Sequence, residues 1–145
     1  MGQIIDCNQI PAVGSLHHVV EHKQLGMFEF KTENLLYYQA IPNGIKPQRL
    51  RWQRSSFKRP DIKLANLNIA LFLIENTDLV PSEIKEENEK GETAYFYFLG
   101  TIIGGCLSNE YIPYLHWNKR DNTLDYGERN EECFVDKTDF VVVIK

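Results

Sequence analysis

Cysteine is scarce in this chain: three among 145 residues, Cys7, Cys106 and Cys133. An odd number without a C-x-x-C pair excludes a disulfide framework or a zinc knuckle and points to free thiols in a reducing compartment. Nine glycines and six prolines are too few for a collagen-like or low-complexity chain. Long apolar runs are missing as well. A bilayer-spanning helix needs roughly 20 apolar residues, whereas the longest stretch, 94–107, has fourteen and is broken by three glycines. The residues from Met1 to Cys7 contain no basic region leading into an apolar one, so no signal peptide is expected and the cytoplasm is the expected compartment. No P-loop, no G-x-G-x-x-G and no internal repeat is present.

What is present is core-forming material. Hydrophobic residues make up 43% and charged residues 25%, with a net charge of −4, a balance too apolar for disorder. A chain of this length buries roughly two-thirds of its unfolded surface and needs no metal or disulfide to fold. One globular domain over 1–145 is expected. Met27-Phe28-Glu29-Phe30 alternates as a half-buried strand does, and Phe140-Val141-Val142-Val143-Ile144 is the clearest strand. A further apolar run, 34–41, ends at Pro42-Asn43-Gly44, a turn signal. The alternation in 48–54 predicts a strand with Leu50 and Trp52 on one face and Arg49 and Arg51 on the other. Residues 61–76 fit a helical stripe and a strand face equally, with Asp61 a candidate helix cap. The stretch 94–107 is equally divided: its composition favours a strand, its spacing a helix. Residues 82–90, closed by Gly91, predict an acid-rich helix, and 118–122 and 127–130 predict turns. The expected fold is a β-rich α+β domain with a mainly antiparallel sheet and two or three short helices.

Charge is unevenly distributed. Residues 46–59 hold Lys46, Arg49, Arg51, Arg54, Lys58 and Arg59 and no acid; that local +6 in a chain of −4 leaves −10 for the remainder. Trp52 and Phe57 interleave with these cations, a pattern suited to stacking on bases while the cations track phosphates. The competing reading is a basic segment that pairs with acidic neighbours of the same chain. Much of the negative charge lies in 83–92 and 121–139. Concentrated acids on a small domain can cap a basic site on another protein, with association accelerated by long-range attraction.

Three of the four histidines, His17, His18 and His22, fall within six residues. His18-Val19-Val20-Glu21-His22 satisfies H-x-x-E-H and over these five residues resembles the inverted zinc proteases. On a helix started by Ser15, with Leu16 turned inward, His18 and His22 would meet one Zn²⁺, Glu21 would activate water, and Glu86, Glu87, Glu89 or Glu92 could supply a third ligand. Leu16-His17-His18 also resembles the first element of HNH nucleases, which implies one divalent metal ion with Asn34 and Asn43 in the later positions. Phe98 to Gly105 resembles the glycine pattern of LAGLIDADG endonucleases but lacks the terminal metal-binding acid. Cys106 lies in an apolar run that disfavours a thiolate, and no nucleophile–base pair can be assembled.

Tyr111-Ile112-Pro113-Tyr114-Leu115-His116-Trp117 suits either a binding hot spot or a core strand. The leading expectation is a non-enzymatic interaction domain without a cofactor, an inhibitor or immunity-type protein whose partner is a basic protein such as a toxin or nuclease. Its contact residues would be Glu83, Glu86, Glu87, Glu89 and Asp121, with Tyr114 and Trp117 as anchors. The alternative is a nucleic-acid-binding or HNH-like nuclease domain. It would use His17, His18, His22 and Asn34 for metal and Arg49, Arg51, Trp52, Arg54, Lys58 and Arg59 for nucleic acid.

Overall fold

The computed structural model describes residues 3–14, 17–42, 44–135 and 137–145, and of Cys106 the backbone alone. The expected cap at Ser15, the inward Leu16, the Asn43 position of the turn and of the HNH resemblance, and the Cys106 thiol lie outside the described residues. The β-branched and aromatic runs form strands, the geometry that gives such side chains a pleated surface to pack on. The amino-terminal half holds β1 (Gln3–Asp6), β2 (His18–His22), β3 (Met27–Phe30), β4 (Leu35–Gln39), β5 (Gln48–Arg49) and β6 (Lys63–Leu64). The second half holds β7 (Tyr95–Tyr97), β8 (Thr101–Gly104), β9 (Glu110–Asn118), β10 (Thr123–Asn130), β11 (Phe134–Val135) and β12 (Phe140–Ile144). With the short helices α1 (Leu50–Ser56), α2 (Leu67–Glu75) and α3 (Ser82–Lys85), this is the β-rich α+β fold that the composition predicts. Among the described residues no helix is long and apolar enough to cross a membrane.

One curled sheet dominates, in the order β2-β8-β9-β7-β12-β4, with β10 beside β9 and β6 beside β12. Its pairings are antiparallel except that of β7 with β12. Two small ribbons, β1 with β3 and β5 with β11, lie apart from it. The β9–β10 hairpin turns at 119–122, where Asn122 takes a left-handed backbone (φ 56°) that asparagine tolerates. The turn expected at 127–130 is instead the end of β10, because those residues continue the ladder against Glu128↔Pro113 and Asn130↔Tyr111.

The sheet is apolar on both faces. Phe28, Phe30, Leu67, Leu73, Phe96, Phe98, Ile103, Leu115 and Val142 belong to one core. Ile41, Leu50, Ile62, Tyr97, Leu99, Ile102, Ile112, Val141 and Val143 belong to the other. Neighbours such as Phe96 and Tyr97, or Ile102 and Ile103, therefore enter opposite cores. A strand buried on both faces loses the polar alternation that identifies strands, which is why 94–107 mimics a helix in sequence.

The stretch is in fact two strands, β7 and β8, paired in succession along β9. Between them the chain steps aside to receive the backbone of 64–65, and the Gly100 N–H donates to the Ala65 carbonyl at 2.9 Å. A Cβ on Gly100 would stand 2.7 Å from the carbonyl oxygens of both Leu64 and Ala65, so glycine is required by close approach.

Residues 61–76 split in the same way. Asp61 caps nothing and pairs with Arg59 at 2.6 Å. Residues 63–64 form an edge of the sheet, and the helix starts only after Asn66, whose side-chain oxygen accepts the Asn68 N–H at 3.2 Å. The Asn66 amide also donates to the Cys7 and Lys23 carbonyls, each at 2.9 Å, and the residue is wholly buried.

The strand expected over 48–54 survives only at Gln48–Arg49. From Leu50 the chain is α1, where two residues are about 200° apart around the axis. Leu50 is accordingly buried in the core, whereas Trp52 is 41% exposed. The helix expected over 82–90 stops at Lys85. Glu86 already has an extended backbone, and Asn88 shapes the loop that follows: its side-chain oxygen accepts the N–H groups of Lys90 and Glu92, a local alternative to helical bonding, and Gly91 takes a positive φ.

Candidate partner-binding groove

Among the described residues, five of the six cations of the basic segment, all but Lys46, pair with carboxylates of the chain itself. Arg49 and Arg51 both engage Glu132; Arg54, largely shielded on α1, reaches Glu110 at 2.6 Å, Glu131 at 3.1 Å and Glu21 at 3.2 Å. Lys58 approaches Glu21 at 3.8 Å, and Arg59 pairs with Asp61. Burial works against the Arg54 charge, but the glutamates, Glu110 foremost, outweigh it and hold the guanidinium above its ordinary range. The cleft of about 400 Å³ beside α1 is lined by Lys23, Arg54, Lys58 and Arg59 together with Glu21, and its Arg54, Lys58 and Arg59 are paired with carboxylates of the chain. Arg49 stacks over the Phe134 ring, 5.3 Å from its centroid, and Trp52 stands on the same corner, so the interleaving seen in sequence becomes an aromatic corner whose arginines already hold an anion.

The histidines do not converge. His18–His22 is strand β2, with a bulge between Val19 and Glu21, so the i, i+4 helical geometry of H-x-x-E-H is not formed. Paired β-branched valines and a neighbouring strand, β8, override the helical reading. His17 bonds Glu128 at 2.9 Å and stacks on Tyr111, while the His18 ring lies against Gly104. His22 bonds the Thr101 hydroxyl at 2.9 Å. Asn34 precedes β4, at the opposite edge of the sheet from β2, and its amide donates to the Glu29 carbonyl. The four residues of the metal alternative thus each have different partners. No group of three or more His, Cys, Asp or Glu side chains with metal-holding geometry occurs among the described residues.

Burial holds the His22 imidazole below its ordinary value of 6.5, opposed by the Cys7 and Gln9 carbonyls. Above pH 6.5 both native and unfolded chains are neutral there. Below it the unfolded chain takes the proton first, so stability is lost as pH falls. Urea unfolding at pH 7.5 and pH 5.5 is expected to show a smaller acid-induced loss in His22→Gln than in the parent. An equal loss would remove His22 from the account.

The acidic residues do gather. Glu83 on α3 and Glu86, Glu87 and Glu92 from the loop after it surround a groove of about 330 Å³. Its floor is aromatic: Tyr37 from β4, Phe96 from β7 and Phe140 from β12. Phe96 and Phe140 stack at 5.2 Å, and Tyr37 meets Phe96 edge-on at 5.4 Å. Glu87 is held by Lys119 at 2.8 Å and by a backbone bridge to Thr93. No ion pair to Glu83, Glu86 or Glu92 forms among the described residues. The Tyr37 hydroxyl is buried with no hydrogen-bond partner among them. Burial, and then the Glu83 carboxylate, hold that phenol well above its ordinary range.

The remaining expected contact residues lie elsewhere. Glu89 lines a neighbouring hollow with Lys90 and Lys137. Asp121 is used in the hairpin turn, where it accepts from Asn118 and its N–H donates back. Tyr114 and Trp117 are three apart on a strand and so face opposite sides. Trp117 is only 7% exposed, its ring covered by the Lys85 ammonium at 4.6 Å, and Tyr114 packs with Tyr95 and Tyr97. They form no joint anchor. Sequence reasoning found Glu83, Glu86 and Glu87 but missed Tyr37, Phe96 and Phe140, which come from three distant strands. Glu92 entered it only as a candidate zinc ligand; its place after Gly91, closing an asparagine-led loop, was the available signal. Compared with protein-family models, curated proteins and solved structures, the chain matches none.

Proposed function

We propose that this chain is a non-enzymatic protein-interaction domain that presents its acidic groove to a basic partner, as an inhibitor or immunity-type protein does. The supporting observation is the contrast between two charged regions: the arginines of 49–59 are bonded to the chain's own carboxylates, while Glu83, Glu86 and Glu92 surround an aromatic depression without such pairing among the described residues. Unpaired like charges around a concavity focus the potential and accelerate encounter with a cationic surface. Electrostatic association of this kind weakens with salt. Affinity capture from the source cells is expected to recover a basic protein at low ionic strength and to lose it at high ionic strength. Reversal of charge in Glu86→Lys with Glu87→Lys is expected to cut capture about tenfold or more, since like-charge contacts at an interface cost several kcal/mol. Recovery of nucleic acid alone, or capture indifferent to both salt and charge reversal, would sink the reading.

A further inference from the structure

The groove has features that a merely acidic surface does not need. We propose that it takes a single arginine side chain of the partner, an inference that rests on the interaction reading above. Its volume of about 330 Å³ is at the small end of ligand sites and matches one side chain rather than a helix or a strand. The rings of Tyr37, Phe96 and Phe140 and the methyl of Ala94 form an apolar floor. A weakly hydrated, planar guanidinium can lie on aromatic faces, whereas a compact, strongly hydrated ammonium is held less well there.

The rim supplies the acceptors. A guanidinium has five N–H donors and no acceptor. Glu83, Glu86 and Glu92 present carboxylates that no cation of the described chain occupies, and Glu87, tied to Lys119, forms a fixed wall. The Tyr37 oxygen lies within electrostatic reach of Glu83, shut off from solvent, and lacks a hydrogen-bond partner among the described residues. Buried polar atoms are nearly always bonded in folded proteins. A guanidinium seated against Glu83 must part the cover over this oxygen, and its N–H then supplies the missing partner. The same carboxylates repel phosphate and carboxylate ligands, so charge complementarity selects a cation and the aromatic floor selects its planar form.

The test uses the whole folded protein and two probes, N-acetyl-arginine amide and N-acetyl-lysine amide, followed by amide NMR. The arginine probe is expected to shift the signals of 83–96, Tyr37 and Phe140 saturably, and the lysine probe to bind at least about threefold more weakly. Glu83→Gln with Glu86→Gln is expected to weaken the arginine probe about tenfold, the scale of a charge-assisted hydrogen bond. Tyr37→Phe, which keeps the ring, is expected to weaken it about threefold. Glu89→Gln, one charge fewer in the neighbouring hollow, is expected to leave it unchanged. Equal binding of the two probes, or equal weakening by Glu89→Gln and by the groove substitutions, would overturn the arginine site while leaving salt-sensitive capture of a basic protein intact. Loss of that capture is read separately and would remove the interaction reading itself.

Discussion

Replacing Asn66 with alanine is expected to lower the unfolding free energy by about 3–5 kcal/mol, measured by urea or guanidinium titration. The figure combines a lost helix cap, about 1 kcal/mol, with the buried Cys7 carbonyl left without a donor, about 1–3 kcal/mol, and the loss of the partly buried bond to the Lys23 carbonyl, about 1 kcal/mol. The Cys7 carbonyl is hard to solvate otherwise: Cys7 and Asn66 are both fully buried, with Asn66 set between α2, the chain after β1 and the chain after β2. Asn66→Asp separates the two contributions. It keeps the capping oxygen but sets a second acceptor against the Cys7 and Lys23 carbonyls, so it is expected to destabilise at least as much as alanine. If Asn66→Ala costs less than about 1 kcal/mol, or Asn66→Asp is tolerated, the amide is not the tie described here.

Gly100→Ala has the next largest expected effect, a loss of about 2–3 kcal/mol, at the upper range for overpacking. The added methyl would meet backbone oxygens at 2.7 Å, and backbone held in a sheet cannot turn away as a flexible side chain can. Relief would need separation of residues 64–65 from the β7–β8 step, at the expense of the Gly100–Ala65 hydrogen bond. Gly14→Ala is the matched control. A Cβ there meets nothing within 4 Å, and a change within about 0.5 kcal/mol is expected. Equal effects at both positions would remove the close-approach argument.

These two residues also mark where sequence reading reaches its limit. Gly100 is legible only as part of the glycine pattern of 98–105; the close approach it allows, of the 64–65 backbone to the step between two strands, is a tertiary feature. Asn66 lies inside a stretch of ambiguous pattern in which Asp61 looks like the better cap. Asp61 has an arginine two residues away that claims its carboxylate, and a local ion pair of that kind competes with capping. The β2 histidines show the same limit from another side. H-x-x-E-H carries its chemistry only on a helix, and pairing with β8 denies it that helix.

The candidate site was half legible. The carboxylates could be listed from the acidic run because they are near neighbours in the chain. The aromatic floor could not, since Tyr37, Phe96 and Phe140 look like ordinary strand residues and are united only by the sheet order β7-β12-β4. Tyr114 and Trp117 are close in sequence, but the period-2 geometry of a strand sends them to opposite faces.

Strand-like alternation, β-branched and aromatic runs and turn signals, which are properties of the chain as a string, were sufficient to determine a β-rich α+β fold, and the apolar content a core that needs no disulfide. Tertiary structure alone decided which charges face water and which face one another. An ion pair such as Arg54 with Glu110 joins residues far apart in the chain, and Coulomb attraction depends on separation in space, which no residue spacing encodes.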